Sequence, residues 1–173
     1  MEAMQRREWF KKLASGVIGL GLVLVPLGAG IVFLLDPLRR GSQKRGFKRV
    51  ASKEGLPLGV PRSFTVSGTR TDAWETAAEV PIGAIYLIRQ PEEIQAFQVT
   101  CPHAGCFVDY DPANQRFLCP CHESSFNLDG SIKDPRSPAP RGLDRLEVKV
   151  QGSDVLVRYQ EFRKGIREQI AGS

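Results

Sequence analysis

Three patterns of hydrophobic and polar positions divide the chain. Leu13 to Leu35 is an uncharged run bracketed by Lys12 and Asp36. Spanning a bilayer takes about 20 apolar residues, so the run predicts one transmembrane helix over 13–35 behind a short flank, 1–12. Residues 36–61 show no sustained apolar period and are rich in Gly, Pro and basic side chains, which predicts a hinge or tether. From Arg62 to about residue 160 the pattern is short and alternating. Ser63–Val66, Ala84–Arg89, Ala96–Thr100, Phe107–Tyr110, Arg116–Leu118, Ser125–Leu128, Leu146–Val150 and Val155–Tyr159 read as strands, rich in β-branched and aromatic residues and separated by turn formers. The expected domain is therefore all-β, an antiparallel sandwich or small barrel. Residues 161–173 form a tail, with Glu161 to Ile170 reading either as a short helix or as a frayed end.

Charge sharpens this division. Residues 1 to 49 carry ten Lys/Arg against three Asp/Glu, while residues 50 to 173 carry fourteen against sixteen. The basic character thus belongs to the anchor and tether, where Lys and Arg favour anionic lipid headgroups of the bilayer, and nothing argues for nucleic acid. The apolar run contains Gly16, Gly19, Gly21, Gly28, Gly30 and Pro26. Membrane helices tolerate such residues, and the small ones permit close packing against neighbouring helices. Arg6-Arg7-Glu8-Trp9-Phe10-Lys11 is similar to a twin-arginine export signal. The run is long for a signal-peptide core and lacks a following A-x-A site, so an uncleaved anchor is expected. Four Lys/Arg precede the run and six follow it between Arg39 and Arg49, a bias that by itself would keep the following domain in the cytoplasm.

The candidate chemistry lies between Cys101 and Asn127, which holds all four cysteines and both histidines of the chain. They form two boxes, Cys101-Pro-His103-Ala-Gly-Cys106 and Cys119-Pro-Cys121-His122, joined by twelve residues. Each box offers one thiolate and one imidazole, with a cysteine over in each. Two Cys and two His suit a [2Fe–2S] cluster with two Cys on one iron and two His on the other. A structural zinc site uses the same residue types, but its ligand pairs usually sit two to four residues apart, and it gives no reason for a fifth and sixth residue at matched positions. Two disulfides with incidental histidines would leave both imidazoles unexplained.

These boxes resemble those of Rieske iron–sulfur proteins, and the extra cysteine in each is similar to the Rieske subunits of cytochrome bc1 and b6f complexes. The resemblance implies one [2Fe–2S] cluster, with Cys101 and Cys119 on the inner iron, His103 and His122 on the outer iron, and a Cys106–Cys121 disulfide. Closing that loop is worth about 3 kcal/mol in the chain-entropy model. A disulfide requires an oxidising compartment, which together with the twin-arginine-like start outweighs the charge bias and predicts a cluster domain on the extracytoplasmic side. Pro135-Arg-Ser-Pro138-Ala-Pro140-Arg-Gly-Leu143 resembles the proline loop that covers the cluster in that family. Ser124 matches the serine that donates its hydroxyl to a bridging sulfide. Phe126 stands where high-potential members have a tyrosine bonded to a ligating sulfur, which implies a potential below the top of the Rieske span of about −150 to +300 mV. Glu123 replaces the usual glycine after the second histidine, and Ala104 replaces a leucine at the tip.

The implied function is a membrane-anchored electron-transfer subunit of a quinol:cytochrome c oxidoreductase. His122 would be the catalytic residue, hydrogen-bonding a quinol, menaquinol rather than ubiquinol, and releasing its proton outward. The implied partners are a b-type cytochrome subunit, a c-type cytochrome acceptor and a homodimeric multi-subunit complex. The runner-up is the Rieske relay subunit of an arsenite-oxidase-like molybdenum enzyme. A zinc-stabilised binding module without redox chemistry is the third class. The chain supplies one redox centre and no substrate pocket, so it is not expected to be a complete enzyme alone.

Overall fold

The structure, a computed structural model, describes residues 2–39, 46–71 and 74–172. The chain divides into two units, Met1–Gln43 and Lys44–Ser173. The first holds a single helix, α1 (Glu2–Arg39). Its Arg6–Asp36 stretch is long and apolar enough to cross a membrane, and Pro26 and five glycines do not interrupt it.

The second unit is built from nine strands: β1 (Lys48–Ser52), β2 (Arg62–Thr71), β3 (Thr76–Arg89), β4 (Ile94–Gln98), β5 (Asp109–Asp111), β6 (Arg116–Leu118), β7 (Ser125–Phe126), β8 (Arg145–Gln151) and β9 (Asp154–Arg158). Six of them form an antiparallel sheet in the order β1-β9-β8-β4-β3-β2. Its two edges curl toward each other, and Lys48 of β1 donates from Nζ to the Ser67 carbonyl of β2 at 2.7 Å. The result is a nearly closed barrel, which protects most of its edge from pairing with other chains. The remaining three strands form a small sheet, β5-β6-β7, inserted between β4 and β8.

Side-chain alternation on β3 and β4 makes one wall serve two cores, because successive residues of a strand face opposite sides. Ile85, Leu87, Ile94 and Ala96 join Leu56, Val66, Leu146, Val155 and Val157 in the barrel core. Tyr86, Ile88, Phe97 and Val99 face the other way, into a second core with Cys101, Val108, Phe117, Cys119, Phe126, Ala139 and Leu143. The cysteine-bearing loops are thus seated on the back of the barrel.

Three expectations change. The predicted tether, 36–61, is shortened from both sides: α1 runs to Arg39, and β1 already pairs with β9 from Lys48. Residues 40–45 of that stretch lie outside the described residues. A five-residue strand whose outward positions carry Lys and Arg leaves no apolar period to read, yet Val50 and Ala51 pack on the barrel core. The strands expected at Ser63–Val66 and Ala84–Arg89 are parts of a longer hairpin, with Thr71 opposite Thr76 at its far end. Pro81 and Gly83 hid it: the register shifts between Val66 and Ser67, beside Pro81, and Gly83 is there because a Cβ would sit 1.9 Å from the Tyr159 hydroxyl. Finally, Glu161 to Ile170 is neither helix nor frayed end. Phe162 is buried in the barrel core and pairs with Ala171 in an isolated antiparallel bridge.

Candidate metal centre

Each cysteine–histidine box folds into a closed loop of the same design. In the first, the Cys101 amide donates to the Cys106 carbonyl at 2.8 Å and the Gly105 amide to the Cys101 carbonyl at 3.0 Å. In the second, the Cys119 amide donates to the Ser124 carbonyl at 2.8 Å. Four residues after the first cysteine, each loop turns through the left-handed region, at Gly105 (φ +87°) and Glu123 (φ +60°). An L-residue there costs roughly 1–2 kcal/mol, so Glu123 is strained where the first box has glycine. The loops are stapled by the Cys106–Cys121 disulfide, with an S–S distance of 2.12 Å.

The remaining chemistry-bearing residues of the two boxes meet in pairs, Cys101 with Cys119 and His103 with His122. Cys101 and Cys119 are free thiols, 1% and 2% exposed. The His103 and His122 rings meet edge to face, 4.8 Å between centroids. His103 is half-buried and His122 exposed. Burial pushes the Cys101 thiol up, the His103 amide bonds to it and draws it down, and the neighbouring Cys119 raises it again. A buried thiol of this kind keeps its proton unless a cation takes its place, as in metal ligation. Ser124 is fully buried and its Oγ has no partner of hydrogen-bond geometry, although it leans close enough to Cys101 to lower that thiol. A buried hydroxyl left unpaired costs about 1–3 kcal/mol, so this one is poised for an acceptor supplied from outside the chain. Cys106, Cys119 and Cys121 also bring their sulfurs within 4.8 Å of one another. Two of those sulfurs are spent in the disulfide, which leaves Cys119 as the one able to ligate. Two thiols, two imidazoles and one orphan hydroxyl suit a two-iron, two-sulfide cluster in donor type and number.

The shell around the loops was only partly legible. The proline loop packs as expected: Ala139 and Leu143 are buried in the site's core, and the Leu143 amide donates to the Gly130 carbonyl at 2.8 Å. That approach needs two glycines, since a Cβ on Gly142 would lie 2.4 Å from the Gly130 oxygen and one on Gly130 (φ +84°) would lie 2.5 Å from Phe97. Three further residues of the shell were missed from the sequence. Tyr86 of β3 is buried, donates its hydroxyl to the Val108 carbonyl at 3.1 Å, accepts from the Tyr110 amide at 3.1 Å, and stacks on Phe117 at 4.8 Å. It ties the barrel wall to the segment between the boxes. Arg141 and Asp144 form an ion pair at 2.7 Å, with side chains 11% and 3% exposed. Their three-residue spacing could have suggested it; nothing in the spacing shows the burial. At the surface Phe107 is 68% exposed, and Arg136 is held above its ordinary range by Asp134 and, more weakly, by Glu123.

Fold and site together define an all-β domain whose paired loops are built to hold an iron–sulfur centre. Residues 46–159 match the Rieske [2Fe-2S] domain family. The chain is 40% identical over 159 residues to a cytochrome b6-f complex iron-sulfur subunit of Prochlorococcus marinus, covering 90% of this chain and 85% of that one. It is 30% identical over 169 residues to the corresponding subunit of Gloeobacter violaceus, covering 92% and 87%. It is 29% identical over 153 residues to the menaquinol:cytochrome c reductase iron-sulfur subunit of Bacillus subtilis, covering 86% and 87%. The chain belongs to the Rieske [2Fe–2S] family, in the branch of the cytochrome bc and b6f iron–sulfur subunits.

Proposed function

We propose that this chain is the membrane-anchored electron-transfer subunit of a quinol:cytochrome c oxidoreductase, working with a b-type cytochrome subunit and a c-type cytochrome in a homodimeric complex. The observation that carries the reading is a pair of buried free thiols and a pair of imidazoles in ring contact, on two boxes stapled by a disulfide. Cys101 and Cys119 would hold the inner iron and His103 and His122 the outer iron, and the cluster supplies one-electron oxidation and reduction when bound. His122, the exposed histidine of the pair, accepts a hydrogen bond from the quinol hydroxyl, takes its proton and passes it to solvent. Ser124 donates its buried hydroxyl toward the centre, which favours the more negative, reduced state. Phe126 offers no such donor, which lowers the potential and suits menaquinol, the substrate named in the Bacillus subtilis relative. The disulfide supports an oxidising, extracytoplasmic location for the domain, and α1 supports a retained single-pass anchor. The kinship with bc- and b6f-type subunits favours this reading over the molybdenum-enzyme relay.

The test is an EPR-monitored redox titration of the full chain in its native membranes, with and without a quinol-site inhibitor. A Rieske-type signal whose shape responds to inhibitor supports the assignment of His122. A signal indifferent to inhibitor and quinone state transfers the weight to the molybdenum-enzyme relay. Zinc in place of a paramagnetic centre would end both.

A further inference from the structure

The C-terminal segment is a closed loop locked onto the His103 side of the site. Its ends meet: the Gly172 amide donates to the Glu161 carbonyl at 2.7 Å, and the Arg163 amide to the Ile170 carbonyl at 2.9 Å. Phe162 roots it in the barrel core. Its middle reaches the first box, where the Gly165 amide donates to the Pro102 carbonyl at 2.8 Å. Gly165 turns at φ +75°, and a Cβ there would lie 3.8 Å from the His103 carbonyl oxygen. The Lys164 stem runs across Gly105, its Cε 3.7 Å from where a Cβ on that glycine would be.

A second lock comes from the proline loop. Arg141 donates from Nε and Nη2 to the Asp144 carboxylate, at 2.8 and 2.7 Å, and from Nη1 and Nη2 to the Ile166 and Arg163 carbonyls, at 2.5 and 2.8 Å. One buried guanidinium therefore joins the proline loop to the C-terminal loop. The geometry matters because Pro102 lies between Cys101 and His103. A hydrogen bond on its carbonyl fixes the plane of the Pro102–His103 peptide unit, and that plane sets where the His103 ring is carried.

We propose that residues 161–172 are a latch that positions His103, with Gly165 and Arg141 as its two positioning residues. This rests on the reading of His103 as an iron ligand. The second box has no counterpart to this latch among the described residues; there the disulfide at Cys121 adjoins His122 directly.

The test uses two full-chain variants in native membranes. Gly165→Val places a β-branched residue at a left-handed position and displaces the donor to Pro102, while Arg141 and Phe162 stay in place. Arg141→Lys retains a cation beside Asp144 but lacks the fork that reaches the two loop carbonyls. The expected result for both is a broadened Rieske EPR signal, a shifted midpoint potential, and at least tenfold faster amide exchange in the peptide holding 101–106, with the peptide holding 119–124 unchanged. Wild-type linewidth, potential and exchange in both variants would overturn the latch while leaving the cluster assignment intact. Uniformly faster exchange in both boxes also overturns it, since that reports general loosening. Should Arg141→Lys fail to assemble the centre, Gly165→Val decides the matter alone. Absence of any Rieske signal in the wild-type chain would instead sink the underlying reading.

Discussion

At the scale of single residues, the proposed function assigns tuning of the site to Ser124, Phe126 and Glu123, which flank the boxes or lie within them. Replacing Ser124 by Ala removes a buried hydroxyl that awaits an acceptor, the only unpaired one among the described residues, and the expected outcome is an assembled centre with a lower midpoint potential in a redox titration. Phe126→Tyr adds a donor within the same buried cluster, and the same titration should show a higher potential; an unchanged value would remove Phe126 from the explanation of quinone choice. Glu123 sits at φ +60°, one of three described non-glycine residues at positive φ, with Glu79 and Gln115. Glu123→Gly should raise stability by roughly 1 kcal/mol, read as a higher unfolding midpoint. It also removes a negative charge beside His122, which should raise the potential. Tyr86→Phe leaves a buried carbonyl and an amide without their partner, at a cost of about 1–3 kcal/mol in thermal unfolding.

At the scale of elements, the paired loops depend on their staple and on the turn that joins them. The disulfide closes a separation of 15 residues, for which the chain-entropy model expects about 3 kcal/mol. Cys106→Ser combined with Cys121→Ser should therefore lower the unfolding midpoint by roughly 10 °C. The joining turn is organised by Asp111, which accepts from the Asn114 side chain at 2.7 Å and amide at 3.2 Å and from Arg116 at 3.1 Å. The Asn114 side chain, then Arg116, holds this carboxyl below its ordinary range. A depressed carboxylate stabilises the fold above its unfolded pKa, about 4, and that contribution is lost as pH falls through the lower folded value. Asp111→Asn should accordingly flatten the acid limb of a stability–pH profile below pH ~4 and leave its slope near neutrality unchanged.

At the scale of the whole molecule, anchor and domain are separate units, and the barrel has its own core and closes its own edges. A chain beginning at Lys44 should fold as a soluble domain, assemble the centre and show an EPR signal like that of the anchored form. The full chain should stay with the membrane through alkaline carbonate extraction. A truncated chain that unfolds would show that the helix contributes to the domain as well as to its location.

Much of this architecture was open to reading from the chain alone, for identifiable reasons. An uncharged run of bilayer length, alternating β-branched segments and a cysteine–histidine spacing are local patterns, so the helix, the all-β class and the paired boxes followed from neighbours in sequence. Tertiary structure decided what depends on residues far apart. It recruited Lys48–Ser52 from an expected tether, because the free edge of β9 offers backbone partners that propensity does not register. It extended the β2–β3 hairpin through Pro81 and Gly83, where a bulge and the Tyr159 ring overrule local preference. It turned 161–172 into a closed loop on the first box, and it buried Arg141 with Asp144. In each case the determining partner is a group brought near only when the barrel closes. The chemistry of the centre is thus written in short spacings, while the order of its surroundings comes from packing across the fold.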